Sequence, residues 1–177
     1  HCHAATAHFA SGHNESLIVV ADGLGDGLSL SIWLGSKHTI SKCFELSYPH
    51  SLGLLYASVT GYLGYKPFRH EGKVTGLAAR GTAHNIQLPF PFDGPFPHRN
   101  ITIQFPLYDW LGHLDDNSPE DIAAWLQEGV EQEVLGILDW ARVQFGELPL
   151  VMAGGLVGNV ALNARIAKEI DVPDLFI

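Results

Sequence analysis

The stretch SLIVVADGLGDGLSLSIWLG, residues 16–35, decides the fold. Its opening part, SLIVVADG (16–23), is a β-branched apolar run stopped by Asp-Gly, the composition of a buried strand entering a turn. LSLSIWLG (28–35) alternates and predicts a second strand, and HTISKCFEL (38–46) a third. Strands this closely spaced predict an antiparallel meander with tight glycine turns.

Downstream the period changes. SLGLLYASVTGYLGY (51–65) carries apolar groups at helical spacing, with Ser51 as N-cap. GKVTGLAARG (72–81) predicts a short helix ended by Gly81. Residues 85–108, rich in Pro and aromatics, predict an irregular insertion with one strand, ITIQF. The longest helix is predicted over 119–145. Ser118 caps it, Pro119 takes the first turn and Asp121 completes a capping-box pattern. Ile122, Leu126, Val130, Val134 and Ala141 lie along its apolar stripe, and Gly146 ends it. LPLVMAGG (148–155) reads as a buried strand running into a glycine pair, and NVALNARIAKEI (159–170) as a helix. Upstream, the small residues of HCHAATAHFASG (1–12) suit a helix packed closely on something. The whole is mixed α/β with a parallel crossover near the end. Both ends fall inside elements, so the chain reads as a piece of a longer one.

The 177 residues are 46% hydrophobic and 16% charged, a compact rather than disordered composition. The net charge of −9 is uneven, with ten acids and one base, Arg142, in residues 101–150. No basic face suggests nucleic-acid binding, and no apolar run suggests a membrane span. Cys2 and Cys43 make no disulfide framework, and a reducing cytoplasm is the expected compartment.

Three places suit chemistry, and each has a plainer reading. His3 on the opening helix and Asp22 at the end of the first strand are half of a nitrogen/oxygen site for Fe²⁺, Mn²⁺ or Zn²⁺. Otherwise they are a helix-surface residue and a turn former. DGLGDG (22–27), with Gly23, Gly25 and Gly27, could hold a phosphate in a nest of backbone N–H groups, or simply close a hairpin. AGGLVGNVALN (153–163) lets a nucleotide lie against Gly154 and Gly155, or is a tight strand-to-helix turn. Lys73 points to phosphate or to water.

Taken in order, HAATAHF, ADGLGDG, SYPHSLGLLYASVTGYLGY, EGKVTGLAARG and AGGLVGNVALNARI resemble the O-carbamoyltransferases of the nodulation-protein-U, cephalosporin and tobramycin type. The matching blocks span nearly the whole chain. The resemblance implies a partial actin/sugar-kinase/Hsp70-like ATPase fold (ASKHA), in which two α/β lobes close around a nucleotide. Residues 1–177 would be an internal fragment of the carbamoyltransferase N-terminal domain. It also implies a His-x-x-x-His metal motif, then an Asp after the next strand, then a distant Asp-Gly-Gly loop. His3 matches the second His and Asp22 the Asp. The other two ligands would precede His1 and follow Ile177. The implied metal is Fe²⁺, or Mg²⁺.

Implied too is a reaction in which carbamoyl phosphate and ATP give a carbamoyl-adenylate and pyrophosphate, after which a small-molecule hydroxyl attacks the carbamoyl carbon. Gly23, Gly25, Gly27, Lys73, Gly154, Gly155 and Asn159 are the expected nucleotide-site residues. The expected partners are the hydroxyl acceptor and the remainder of the same polypeptide, with no nucleic acid or membrane. A tRNA threonylcarbamoyladenosine-type transferase and a non-catalytic nucleotide-binding domain of the same fold are the alternatives.

Overall fold

A computed structural model describes residues 1–93, 96–98, 100–101 and 108–177. Among the described residues, six α-helices, α1 (Cys2–Ser11), α2 (Leu52–Tyr62), α3 (Glu71–Ala78), α4 (Tyr108–Leu111), α5 (Pro119–Phe145) and α6 (Val160–Glu169), accompany seven strands. These are β1 (Glu15–Gly25), β2 (Leu28–Ser36), β3 (Thr39–Ser47), β4 (Phe92–Asp93), β5 (Asn100–Ile101), β6 (Leu150–Ala153) and β7 (Leu175–Phe176). The chain divides into two compact units, residues 1–53 with 135–177, and residues 54–134.

The first unit is built on a five-stranded sheet of order β3-β2-β1-β6-β7. The meander β1–β2–β3 is antiparallel. β6 then joins the free edge of β1 in parallel, and β7 joins β6 in parallel. β1 and β2 are linked by Asp26 and Gly27, at φ 55° and 80°. Positive φ at both turn residues twists a two-residue hairpin with its strands, which explains Asp-Gly here. β1 is thus longer than its sequence run by one residue at its start and two at its end, with a bulge between Ala21 and Gly25.

α1 covers one face. Its Ala4 and Ala7 lie against Ile18 and Val20 of β1, Trp33 of β2 and Val151 of β6. Alanine lets a helix approach a sheet closely, and the aliphatic side chains buried beneath contribute roughly 1.5–3 kcal/mol each. On the other face, register aligns Val19, Ile32 and Phe44 across three strands. The Phe44 ring meets Trp140 of α5 at 5.2 Å between centroids. Because β1 is covered on both faces, Leu17–Ala21 is uniformly buried and uniformly apolar, as strands with two buried faces are.

In the second unit, Tyr56 of α2 donates to Gln127 of α5 at 2.9 Å, and its hydroxyl also bonds Thr75 of α3 at 2.8 Å. Gly129 stands mid-helix in α5, where glycine costs about 1 kcal/mol relative to alanine. The Phe90 ring occupies the space a Cβ would need, 2.2 Å away. Ser118 Oγ accepts from the Asp121 amide at 3.1 Å, as an N-cap does. The Asp121 carboxylate departs from the capping box: it accepts from the Thr82 amide at 2.7 Å and Asn85 Nδ2 at 2.9 Å. α3 stops at Ala78, short of Gly81. Gly81 serves a close approach instead, since a Cβ there would meet the Glu120 carbonyl oxygen at 1.9 Å. Of the predicted strand ITIQF, positions 102–105 lie outside the described residues. Among the described residues no helix is long and apolar enough to cross a membrane.

Candidate functional site

β1 and β6 run side by side, and their carboxyl ends open at one edge of the sheet, where open α/β sheets bind ligands. Val20 pairs with Ala153, the last residue of β6, so Asp22 and the Gly154–Gly155 turn emerge together. Gly154 has φ 105° and ψ 168°, a conformation open only to glycine. A Cβ there would stand 2.3 Å from the Ala21 carbonyl oxygen. A Cβ at Gly155 would be 3.1 Å from Asp22 Oδ1. Both glycines therefore bring bare backbone against the end of β1. A short 3-10 turn (Gly155–Gly158) follows, and Asn159 caps α6 by accepting from the Leu162 amide at 3.1 Å.

The two oxygens of Asp22 have different partners. Oδ1 accepts from the Gly23 amide at 2.8 Å. Oδ2 faces Nε2 of His3 at 3.3 Å. The side chains are 59% exposed for His3 and 29% for Asp22, so both are reachable from solvent. With bonds of about 2.1 Å, two donors to one ion at roughly 90–110° stand about 3.0–3.4 Å apart. The donor pair fits a metal by separation and type, and it equally fits a His–Asp ion pair. Among the described residues no group of three or more His, Cys, Asp or Glu converges as a metal site.

The structure thus brings His3, Asp22, Gly23, Gly154 and Gly155 to one place. Gly25 is close by, where a Cβ would lie 3.7 Å from Asp22 Oδ2. Gly27 belongs to the hairpin turn. Lys73 belongs to the second unit, where its Nζ stands 5.9 Å from the centre of the Tyr65 ring.

Two features were not expected from sequence, the second at Ser51, which was read there only as an N-cap. His8, 1% exposed, sits on α1 with Nδ1 2.8 Å from Ser16 Oγ, and its Nε2 has no hydrogen-bond partner among the described residues. Gly35 makes room for the ring, since a Cβ there would be 2.4 Å from Nδ1. Burial, with a smaller contribution from His13, holds the His8 imidazole below its usual pKa. The second feature is the start of α2. Ser51 Oγ donates to the Gly23 carbonyl at 2.5 Å and to the Asp22 carbonyl at 3.4 Å. The sequence signal for this was small residues at both Ser51 and Gly53, within the PHSLG block. A separate cleft of about 490 Å³, lined among others by His13, Glu15, Lys37 and Pro149, lies at the opposite end of β1 and β6.

Comparison with known proteins gives a consistent picture. The nodulation protein NolNO of Sinorhizobium fredii is 32% identical over 99% of this chain and 27% of its own length. The nodulation protein NolO of Bradyrhizobium diazoefficiens is 31% identical over 99% of the chain and 34% of its own. An uncharacterized protein of Synechocystis is 31% identical over 94% of the chain and 31% of its own. The chain therefore spans about a third of the length of these relatives. Residues 1–89, from α1 to just past α3, match the carbamoyltransferase N-terminus. On that match, the chain belongs to the carbamoyltransferase family.

Proposed function

We propose that the protein containing this chain is an ATP-dependent O-carbamoyltransferase, and that the sheet edge at Asp22 forms part of its nucleotide and metal site. The carrying observation is the convergence of His3 Nε2, Asp22 Oδ2 and the Gly154–Gly155 turn at the ends of two parallel strands. The mixed sheet, an antiparallel meander continued by parallel strands, supports assignment to one lobe of an ASKHA-type fold. The acidic balance of the chain weighs against a tRNA substrate.

In balanced form, carbamoyl phosphate, ATP and one water give carbamoyl-adenylate, phosphate and pyrophosphate. The acceptor hydroxyl then forms a bond to the carbamoyl carbon. AMP leaves as the carbamoyl–phosphate oxygen bond breaks, and the hydroxyl proton passes to solvent or a base. A bound divalent ion would neutralise phosphate charge.

The chain's own residues have distinct tasks in this reading. His3 and Asp22 hold the ion, completed by two ligands outside residues 1–177. The Gly23 amide fixes which Asp22 oxygen remains available, since it engages Oδ1. Gly154 and Gly155 let the turn after β6 approach the end of β1 without meeting a Cβ, which keeps that turn beside the Asp22 carboxylate. Gly25 adds no side chain beside Asp22 Oδ2, and Gly27 closes the hairpin turn. Asn159 fixes the start of α6 next to the turn.

The test is ATP/pyrophosphate exchange by the full-length protein. Exchange that depends on carbamoyl phosphate is expected. Exchange that ignores it, or none at all from metal-loaded protein, refutes the reading. His3→Ala and Asp22→Asn are expected to lose bound metal by elemental analysis, and unchanged metal content rejects their assignment.

A further inference from the structure

We propose that Ser51 and Gly53, at the start of α2, are positioning residues that aim the Asp22 carboxylate. The inference rests on the metal reading of Asp22 and adds the means by which that side chain is held. Ser51 is buried, 1% exposed, yet its hydroxyl donates to the carbonyls of Gly23 and Asp22. Gly53 lies against the same peptide. A Cβ on it would stand 2.8 Å from Gly23 Cα, 2.9 Å from Gly23 N and 3.0 Å from the Asp22 carbonyl oxygen.

These contacts act on the one peptide unit that orients the carboxylate. The Gly23 N–H is what holds Asp22 Oδ1. Its direction is set by the Asp22–Gly23 peptide plane, which Ser51 grips through the carbonyl of Asp22 and, one residue on, that of Gly23. Pleating and register do not fix that plane, because the β1–β2 ladder is interrupted between Ala21 and Gly25. On the other side, Gly155 approaches Asp22 Oδ1 and Gly154 approaches Ala21. The end of β1 is thus clamped between the start of α2 and the glycine turn after β6, with Oδ2 left facing His3. Ligating carboxylates depend on such outer partners, whose removal costs about 10–100-fold in metal affinity.

The experiment titrates metal-free full-length protein with Mn²⁺ alone, followed by electron paramagnetic resonance, and records the thermal midpoint of each metal-free variant. For Ser51→Ala the Mn²⁺ dissociation constant is expected to rise about 10–100-fold. Faster hydrogen exchange at the Gly23 amide should accompany it. Gly53→Ala is expected to weaken Mn²⁺ binding likewise. Leu52→Ala, which keeps both contacts, is expected to lower the thermal midpoint and leave Mn²⁺ affinity unchanged.

Affinity of Ser51→Ala within about twofold of the parent overturns the proposal, whatever Gly53→Ala does. So does an equal loss from Leu52→Ala, which would show a merely structural role. Asp22→Asn separates the two claims. If it binds Mn²⁺ like the parent, the metal reading fails and takes this inference with it. If it loses Mn²⁺ while Ser51→Ala keeps it, only the positioning role fails.

Discussion

Gly154→Ala is expected to destabilise the first unit far more than Gly155→Ala, although the two glycines are adjacent. Gly154 holds φ 105° and ψ 168°. An L-residue in that region costs about 1–3 kcal/mol. The new Cβ would also press on the Ala21 carbonyl group, 2.3 Å from its oxygen and 2.8 Å from its carbon. Ala21 is backbone in a paired strand and yields little, so overpacking adds about 1–3 kcal/mol. The lower unfolded-state entropy of alanine returns about 0.4–1 kcal/mol. The net loss is about 2–5 kcal/mol, a large share of the roughly 5–15 kcal/mol of a typical protein. At Gly155 the nearest atom is a carboxylate oxygen at 3.1 Å, the end of a side chain that can give. Its change in stability should stay below about 1 kcal/mol. Urea unfolding measures both. With a slope near 2 kcal/mol/M, Gly154→Ala moves the midpoint by about 1–2.5 M and Gly155→Ala by less than about 0.5 M. Equal shifts, or a larger one for Gly155→Ala, refute the argument that backbone against backbone sets the cost.

The other predictions are simpler. His8 is held neutral by burial, so its folded pKa lies below the unfolded value of 6.5. The unfolded chain then binds the proton first, and stability falls as pH drops below about 6.5. Urea midpoints at about pH 7.5 and about pH 5.5 should differ less for His8→Gln than for the parent, and an unchanged difference refutes this. Asp121 is likewise shifted down, below its usual 3.8, first by Asn85 and then by the Thr82 amide. Its contribution is present above that value and fades as pH falls through the lower folded pKa. Asp121→Asn should therefore remove part of the acid limb of a stability–pH curve. Ser118→Ala removes the N-cap of α5 and should cost about 1 kcal/mol by urea unfolding. A loss below about 0.3 kcal/mol would show that tertiary packing, not the cap, holds that end.

Local signals carried most of the architecture. The hairpin was readable from its Asp-Gly pairs, but not which pair turns: the strand was expected to stop at Asp22-Gly23, and it is Asp26-Gly27 that takes positive φ at both positions. The limits of α5 were readable because Ser118, Pro119 and Gly146 each have a backbone reason to stand where they do; Gly146 takes φ 93° just past the last turn. The end of α3 was not readable. Gly81 resembled a helix stop, but it answers to the Glu120 carbonyl, thirty-nine positions away in sequence. Gly129 and Gly53 follow the same logic, since each is glycine because of a neighbour that no local window contains. At the site, residue types suggested His3 with Asp22, while their separation needed the seating of α1 on the sheet. The division of labour between Oδ1 and Oδ2, and the Ser51 hydroxyl behind it, depend on directions in space that a spacing pattern does not encode.

The pairing of Leu17 with Leu150 has a consequence for synthesis. About 130 residues must leave the ribosome before the bare edge of β1 meets its parallel neighbour, which takes on the order of 7–26 s at 5–20 residues per second. Through that interval the nascent meander presents one of the most apolar segments of the chain as an open template for unrelated strands. The protein should therefore depend on holdase chaperones during translation more than its finished, well-covered sheet suggests.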